Sequence, residues 1–471
     1  MGLDPDTIVA RATPPGPGAL AVVRLSGPGS FQILGALLHG ASVPEPGRPA
    51  LRWVYDPGDG RRLDRVVVTT RRGPTSYTGE DTVELSGHGG WVAPASLVDA
   101  CIRVGARAAE PGEFSRRAYL NGKLDLLQAE ATLDLVEARS RALQDVAAAG
   151  LDRGLSARVA ELRATLIALE ALLVHHLDFP EEDDPPVPAE RIVAEAASLE
   201  ARIGRLLATA PEGELLREGA RTVLAGVPNA GKSSLFNALL GRERAIVTEV
   251  PGTTRDALEA SAQIGGFPFL LVDTAGLRET EDRVERIGVE VAERWLEQAH
   301  LVLFCAEAGR PLSDAEQSFL TRARAPVVLV RTQADRLPTA EHEGSASGSR
   351  EAAHPGDGGA GRTAALETVT VSAHTGEGLD RLASLLPRLV FTGLVDAEPE
   401  QPVVTRRRQR EGLERARAQV AAFRAGIEEG LPAEVASAHL RDAETALEGL
   451  VGVLPREEVL DHLFREFCIG K

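Results

Sequence analysis

The sequence predicts a multidomain α/β chain: an N-terminal α/β domain, then a helical domain in two segments with a doubly wound parallel-sheet domain inserted between them. Three observations carry that expectation. Apolar runs TVLAGV, FPFLLVD, HLVLFC, PVVLV and TVTVSA alternate with helical stretches across 220–390, the pattern of parallel strands joined by crossover helices. Breaker-poor segments with apolar residues at helical spacing flank this region, from Leu124 to about Leu177 and from Val403 onward. Ahead of them, short β-branched runs alternate with Gly/Pro loops.

Taken in order, residues 1–120 carry TIVARA, ALAVVRL, DRVVVTT and DTVEL between loops such as PPGPG and SGHGG, and read as one compact α/β or β-rich domain. Residues 121–215 form the first helical segment, broken by EEDDPPVP and resumed by a helix to about residue 209. Residues 216–390 hold the inserted domain. Within it, EHEGSASGSREAAHPGDGGAGR is poor in apolar residues and reads as a disordered surface insertion. Residues 391–471 complete the helical domain.

Composition narrows the class. The 471 residues are 43% hydrophobic and 26% charged, as in ordinary globular proteins, and no apolar run has the length of a membrane span. Cys101, Cys305 and Cys468 form neither a disulfide framework nor a metal spacing, which fits a reducing cytoplasm. A net charge of −17 argues against broad nonspecific nucleic-acid binding, so any such contact needs a local basic patch. Arg406, Arg407, Arg408 and Arg410 in TRRRQRE are candidates, with a solvated helix start as the alternative. Of 52 basic residues only Lys123, Lys232 and Lys471 are lysine, so each position where the chain keeps an ammonium is a candidate ligand contact.

Lys232 lies in GVPNAGKSS, which follows an expected strand, opens an expected helix and matches G-x-x-x-x-G-K-[ST] through Gly226, Gly231, Lys232 and Ser233. Such a loop turns backbone N–H groups toward phosphates, sends its lysine to the β and γ phosphates, and gives its hydroxyl to magnesium. Asp273, ending FLLVD, is placed to hold that magnesium through water, and Gly276 to sense the γ phosphate. Thr253 and Thr254 in PGTTRD suit a switch loop. Asp335 in TQAD can accept from the N1 and N2 hydrogens of guanine, a pairing adenine does not offer, and Ser372-Ala373-His374 follows the last strand as a donor to the guanine oxygen. In order and spacing the set predicts a translation-factor-like GTPase domain. TQAD departs from N-K-x-D, and Gln333 is expected to lay its methylenes along the base. Leu277 follows D-T-A-G where Ras-like proteins place a water-orienting glutamine, so another residue must act, and the acidic LRETEDRVERIG comes next.

The terminal FCIGK leaves three readings: a frayed end, a C-a-a-X-like box that its glycine and lysine fit poorly, or a functional tail. Apolar residues at helical spacing over 456–467 predict a docked helix that delivers the last residues to a fixed place.

Through TIVARATPPGPG, SYTGEDTVELSGHGG, PGEFSRRAYLNGKLDLLQAEA, GVPNAGKSSLFNALLGRERAIVTEVPGTTRD, DTAGLR, VERIG and FCIGK, the chain resembles the tRNA modification GTPases called MnmE or TrmE over essentially its whole length. The resemblance implies an N-terminal folate-binding and dimerisation domain, a two-segment helical domain and an inserted Ras-like G domain. It implies a homodimer that works with a flavin-dependent partner, MnmG, in a heterotetramer-like complex. Together they add an aminomethyl-type group, such as carboxymethylaminomethyl, at C5 of wobble uridines in certain tRNAs. The one-carbon unit comes from a tetrahydrofolate derivative, 5-formyl- or methylene-tetrahydrofolate. GTP hydrolysis uses Mg2+ and is stimulated by K+ as G domains associate. The alternatives are a ribosome-assembly or stress GTPase sharing only the G domain, and a module that holds GTP without turnover.

The residues that the resemblance assigns to the nucleotide begin with Asn229, Ala230, Gly231, Lys232, Ser233 and Ser234. They continue through Thr248, Glu249, Val250, Pro251, Gly252, Thr253 and Thr254, then Asp273, Thr274, Ala275 and Gly276. Thr332, Gln333, Ala334 and Asp335, with Ser372, Ala373 and His374, complete the set. It implies magnesium ligation by Ser233 and Thr254, and potassium ligation by Asn229, Thr248, Val250 and Thr253. It further implies Glu285 as catalytic acid, Cys468 in the modification chemistry, and folate contacts from Arg24, Glu84, Lys123 and Lys471.

Overall fold

The computed structural model describes residues 6–152, 154–178, 188–242, 259–273, 295–337, 367–396, 401–453 and 457–470. The fold is mixed α/β, and the chain divides into two compact units. One comprises Met1–Leu133, Gly150–Ala196 and Ala418–Lys471; the other comprises Asp134–Ala149 and Ala197–Arg417. The cuts pass inside the helices Leu126–Glu137, Arg141–Leu151, Ala189–Leu207 and Arg407–Glu428.

The first unit is built on a six-stranded sheet of β1 (Ile8–Arg11), β2 (Leu20–Ser26), β3 (Ala50–Tyr55), β4 (Arg62–Arg71), β5 (Thr82–His88) and β6 (Arg107–Ala108), in the order β3-β4-β5-β2-β1-β6. All pairs are antiparallel except β1 with β6. Alternation decides the faces. Val23, Leu25, Val66, Val68, Val83 and Leu85 point into a core closed by the helices Ser30–Leu37 and Val92–Arg103. The opposite face places Arg24, Glu84 and Thr69 side by side on β2, β5 and β4. In the same unit, helix Gly154–Asp178 packs along Ala433–Val451, and Arg163 bonds Glu444 and Glu448 at 2.9 and 2.7 Å.

The second unit holds β7 (Ala220–Ala225), β8 (Glu259–Ile264), β9 (Phe267–Asp273), β10 (Leu301–Glu307), β11 (Val327–Thr332) and β12 (Glu367–Thr370), in the order β12-β11-β10-β7-β9-β8. Pairing is parallel except for β8 with β9. Buried on both faces, β10 and β11 read as the continuous apolar runs LVLFCAE and VVLVRT. β7 lies between β9 and β10, so the chain leaves β7 toward one edge of the sheet and leaves β9 toward the other, the change of direction beside which α/β sheets open a crevice at their strands' C-terminal ends. Leu143 of helix Arg141–Leu151 joins this core. The Arg141 and Ala142 amides, orphans of a helix start, donate to Gln263 Oε1 and Gly266 O, both at 3.0 Å.

Candidate functional site

The phosphate loop leaves β7 at Gly226, whose φ is +138° and where a Cβ would lie 2.3 Å from the Cys305 carbonyl of β10. Only glycine permits that close approach to the neighbouring strand. The loop then opens helix Lys232–Arg242, whose N-terminal N–H groups and dipole suit an anion. Lys232 is buried, and its ammonium donates to Gly226 O and Val227 O, both at 2.9 Å, from within the loop. Ser233 and Ser234 are exposed at the helix start, and Asn229 is exposed with φ +61°. Asp273 ends β9 opposite Leu224 of β7 and is buried.

The loops that follow β11 and β12 meet the phosphate loop at the same end of the sheet. Thr332, the last residue of β11, donates its hydroxyl to Ala230 O at 2.7 Å. Gln333 has φ +58° and donates Nε2 to Asn229 O at 3.0 Å. Ala334 N donates to Val371 O at 3.2 Å, which sets the loop after β11 against the loop after β12. There the Ser372 hydroxyl donates to Asp335 Oδ1 at 2.7 Å and so holds the Asp335 carboxyl below the usual carboxylate range. Ala373 is half-buried and His374 exposed beside this pair. Thr248 through Thr254, Thr274 through Gly276, Leu277 and Glu285 lie outside the described residues, as does the Gly/Ser-rich insertion.

In the first unit, Arg24 and Glu84 form an ion pair at 2.8 Å. The guanidinium stands 5.6 Å from the Tyr77 ring centroid and 5.7 Å from that of Phe114. Thr69, Arg71, Thr78 and Thr82 complete the walls of a small cleft around Arg24, Tyr77 and Glu84. Sequence reasoning missed Tyr77 and Phe114; each sits in a quoted motif, SYTGED and PGEFS, and aromatic residues are few in this chain. Lys123 Nζ donates to Pro74 O at 3.0 Å, while Asn121 donates to the Thr78 carbonyl at 2.7 Å, so the lysine lies along the loop that supplies Thr78 to the cleft.

The C-terminal tail is docked in the same unit. Leu460, Leu463, Phe464 and Phe467 pack with Leu126, Ala129 and Leu133, and the tail then runs onto the sheet domain. Ile469 bridges Pro111, and Gly112 N donates to Cys468 O at 3.5 Å, two residues before Phe114. Gly470 lies against the Arg11 carbonyl of β1. Cys468 is exposed, whereas burial pushes the Cys101 and Cys305 thiols up to about 12. Lys471 lies outside the described residues.

Of the two readings of TRRRQRE, the structure shows the helix start, in helix Arg407–Glu428. TRRRQRE does not present a patch of unpaired cations: buried Arg406 bonds Asp134 at 2.6 Å, Arg407 bonds Glu411 at 2.6 Å and Arg410 bonds Glu214 at 3.0 Å. The segment staples its helix start to neighbouring acids in the second unit. Among the described residues, no group of three or more His, Cys, Asp or Glu is placed to hold a metal ion, and no helix is long and apolar enough to cross a membrane.

Comparison with known proteins agrees over the length of the chain. A family profile described as "MnmE helical domain" matches residues 126–468, and one described as "GTP-binding protein TrmE N-terminus" matches 7–123. Curated relatives named tRNA modification GTPase MnmE include those of Moorella thermoacetica, 39% identical, and Symbiobacterium thermophilum, 41% identical; each alignment covers 99% of this chain and 99% of the relative. Among solved structures, the G domain of the T. maritima FeoB iron transporter is 25% identical over 36% of this chain and 98% of its own, with a TM-score of 0.23, too low to bear on function. Two family profiles and full-length relatives thus converge: the chain belongs to the tRNA modification GTPase MnmE family.

Proposed function

We propose that this protein hydrolyses GTP and, with a flavin-dependent partner of the MnmG type, adds an aminomethyl-type group to C5 of tRNA wobble uridines from a tetrahydrofolate one-carbon unit. The observation that carries the reading is a juxtaposition. A lysine-bearing phosphate loop and the Asp335–Ser372 pair stand at one end of a single parallel sheet, in a chain whose full-length relatives are named tRNA modification GTPases. An ionised Asp335 accepts from guanine N1 and N2, and the loop N–H groups take the phosphates. Magnesium falls to Ser233 and Thr254, and potassium to Asn229, Thr248, Val250 and Thr253. Glu285 supplies the water-positioning acid that Leu277 does not. Beside the phosphates, a potassium ion supplies positive charge of the kind an arginine finger brings elsewhere.

The donor set around Glu84 fits a folate. A carboxylate suits the donor edge of a pterin, Tyr77 offers a ring face, and Arg24, Lys123 and Lys471 offer cations for the glutamate tail. The docked tail supports a role for Cys468 in the modification step, because its backbone is held beside the helix start that carries Phe114. The same reading assigns residues 1–120 to folate binding and dimerisation, 121–215 and 391–471 to the helical domain, and 216–390 to the G domain. It makes the protein a cytoplasmic homodimer.

Steady-state GTP turnover of the purified protein in potassium and in sodium tests the nucleotide reading. Turnover should be sharply faster in potassium, and Asn229→Ala should erase the difference. Glu285→Ala should keep nucleotide affinity while turnover falls by roughly two orders of magnitude. Equal rates in both salts for the unmodified protein refute the potassium assignment, and near-normal turnover of Glu285→Ala refutes that of the acid.

A further inference from the structure

We propose that Arg117 is a positioning residue for the cleft around Arg24, Tyr77 and Glu84. Its guanidinium locks the loop that carries Tyr77 and Thr78 to the helix that carries Phe114, and so sets the aromatic walls that receive the ligand. The inference rests on the folate reading above and goes beyond it, because Arg117 is not itself among the residues that line the cleft.

Arg117 is 3% exposed, the most buried arginine among the described residues. Burying a guanidinium is costly, and apolar packing often stabilises a site as well, so such a group is informative where its donors are used in a fixed geometry. Here both terminal nitrogens are used. Nη1 donates to Asp6 O at 3.0 Å and to the two carboxylate oxygens of Glu80 at 3.3 Å. Nη2 donates to Asp6 Oδ1 at 2.5 Å and to Glu113 Oε1 at 2.9 Å. Acids from three segments thus converge on one planar group: Asp6 before β1, Glu80 before β5, and Glu113 at the start of helix Glu113–Leu120. The single ammonium of a lysine does not match that arrangement.

Glu80 carries the lock to the cleft. Its Oε2 also accepts the Ser26 hydroxyl at 2.6 Å, and that hydroxyl lies 2.6 Å from the hydroxyl of Thr78, a wall residue. Earlier in the same loop, the Tyr77 hydroxyl lies 2.8 Å from that of Ser115, which is fully buried and precedes Arg117 on the helix. The loop is therefore joined to helix Glu113–Leu120 at two points, Tyr77 to Ser115 and Glu80 to Arg117. A single hydroxyl contact lets a loop pivot, and the second point removes that freedom. Phe114 lies on the same helix, so fixing loop against helix fixes both rings about the Arg24 guanidinium. Walls set before the ligand arrives need no ordering when it binds, which favours affinity.

Calorimetric binding of 5-formyl-tetrahydrofolate to the purified protein tests the lock. Arg117→Lys keeps the charge but loses the fork, and should weaken binding about tenfold, the scale of one lost charge-assisted hydrogen bond. The same substitution in a Tyr77→Ala background separates positioning from general loosening of the domain. If Arg117 acts through the Tyr77 ring, its replacement should cost less than about twofold once that ring is gone. Should Arg117→Lys fail to fold, Glu80→Gln decides by the same pair of measurements, since it leaves Arg117 bonded to Asp6 and Glu113. Unchanged affinity when Tyr77 is present overturns the lock. So does an equal loss in both backgrounds, because Arg117 then serves the fold at large. No binding by the unmodified protein overturns the folate reading, and the lock with it.

Discussion

In the proposed guanine site Asp335 must stay ionised and stay aimed, and its bond to Ser372 serves both needs. The serine is fully buried, accepts from the Thr375 amide at 3.1 Å and donates to Asp335 at 2.7 Å, so its hydroxyl has one available direction. That bond favours the charged carboxyl and depresses its pKa. Guanine affinity that depends on the ionised form is therefore present above this depressed pKa and lost as pH falls through it. Ser372→Ala should raise the pKa toward the ordinary value near 4 and shift the acid limb of GDP affinity to higher pH, measurable as a binding profile between about pH 3 and 5. Superimposable profiles for the two proteins contradict the role given to Ser372. At this scale Asp335, Ser372 and Lys232 were legible because their motifs have fixed spacing. The bond from Gln333 to Asn229 was not, since it joins residues 104 apart through the meeting of two loops. Phe114 was hidden for the same reason: its neighbour Arg24 comes from a distant strand.

Among the elements, the strands that sequence missed share one property. β3, β6 and β8 are all edge strands; RA and EASAQI lack the apolar runs of the central strands, and Arg52 interrupts that of ALRWVY. An edge buries less of each side chain, so its pattern is weak. The tail helix was legible, and Glu457–Arg465 falls inside the expected 456–467. Where it docks was not, because an apolar face does not name its partner. Docking of the last residues turns on Gly470, with φ +98° and a Cβ position 2.3 Å from Arg11 O. Gly470→Ala combines backbone strain with that overlap, at a local cost above about 1 kcal/mol. It should release the end of the chain while leaving the apolar helix contacts in place. Faster trimming of the C-terminus by carboxypeptidase, with little change in the melting midpoint, is the expected result. Trimming at the unmodified rate contradicts the docked tail.

For the molecule as a whole, the net charge is −17, and Arg406, Arg407 and Arg410 of TRRRQRE are each paired with an acid. The parallel sheet was readable from its apolar runs and the family from long motifs, whereas the first 120 residues were readable only as an α/β or β-rich domain. The compact division was not, because helices such as Leu126–Glu137 and Arg407–Glu428 run across the cuts and carry one uninterrupted pattern. The central claim is that this protein modifies wobble uridines through its GTPase and tail sites. It is tested most directly by mass analysis of tRNA nucleosides from a strain lacking the gene, complemented with the unmodified protein or with Cys468→Ser. The deletion should lose the C5-modified wobble uridines, the unmodified protein should restore them, and Cys468→Ser should not. Modified wobble uridines persisting at normal levels in the deletion strain would contradict the claim.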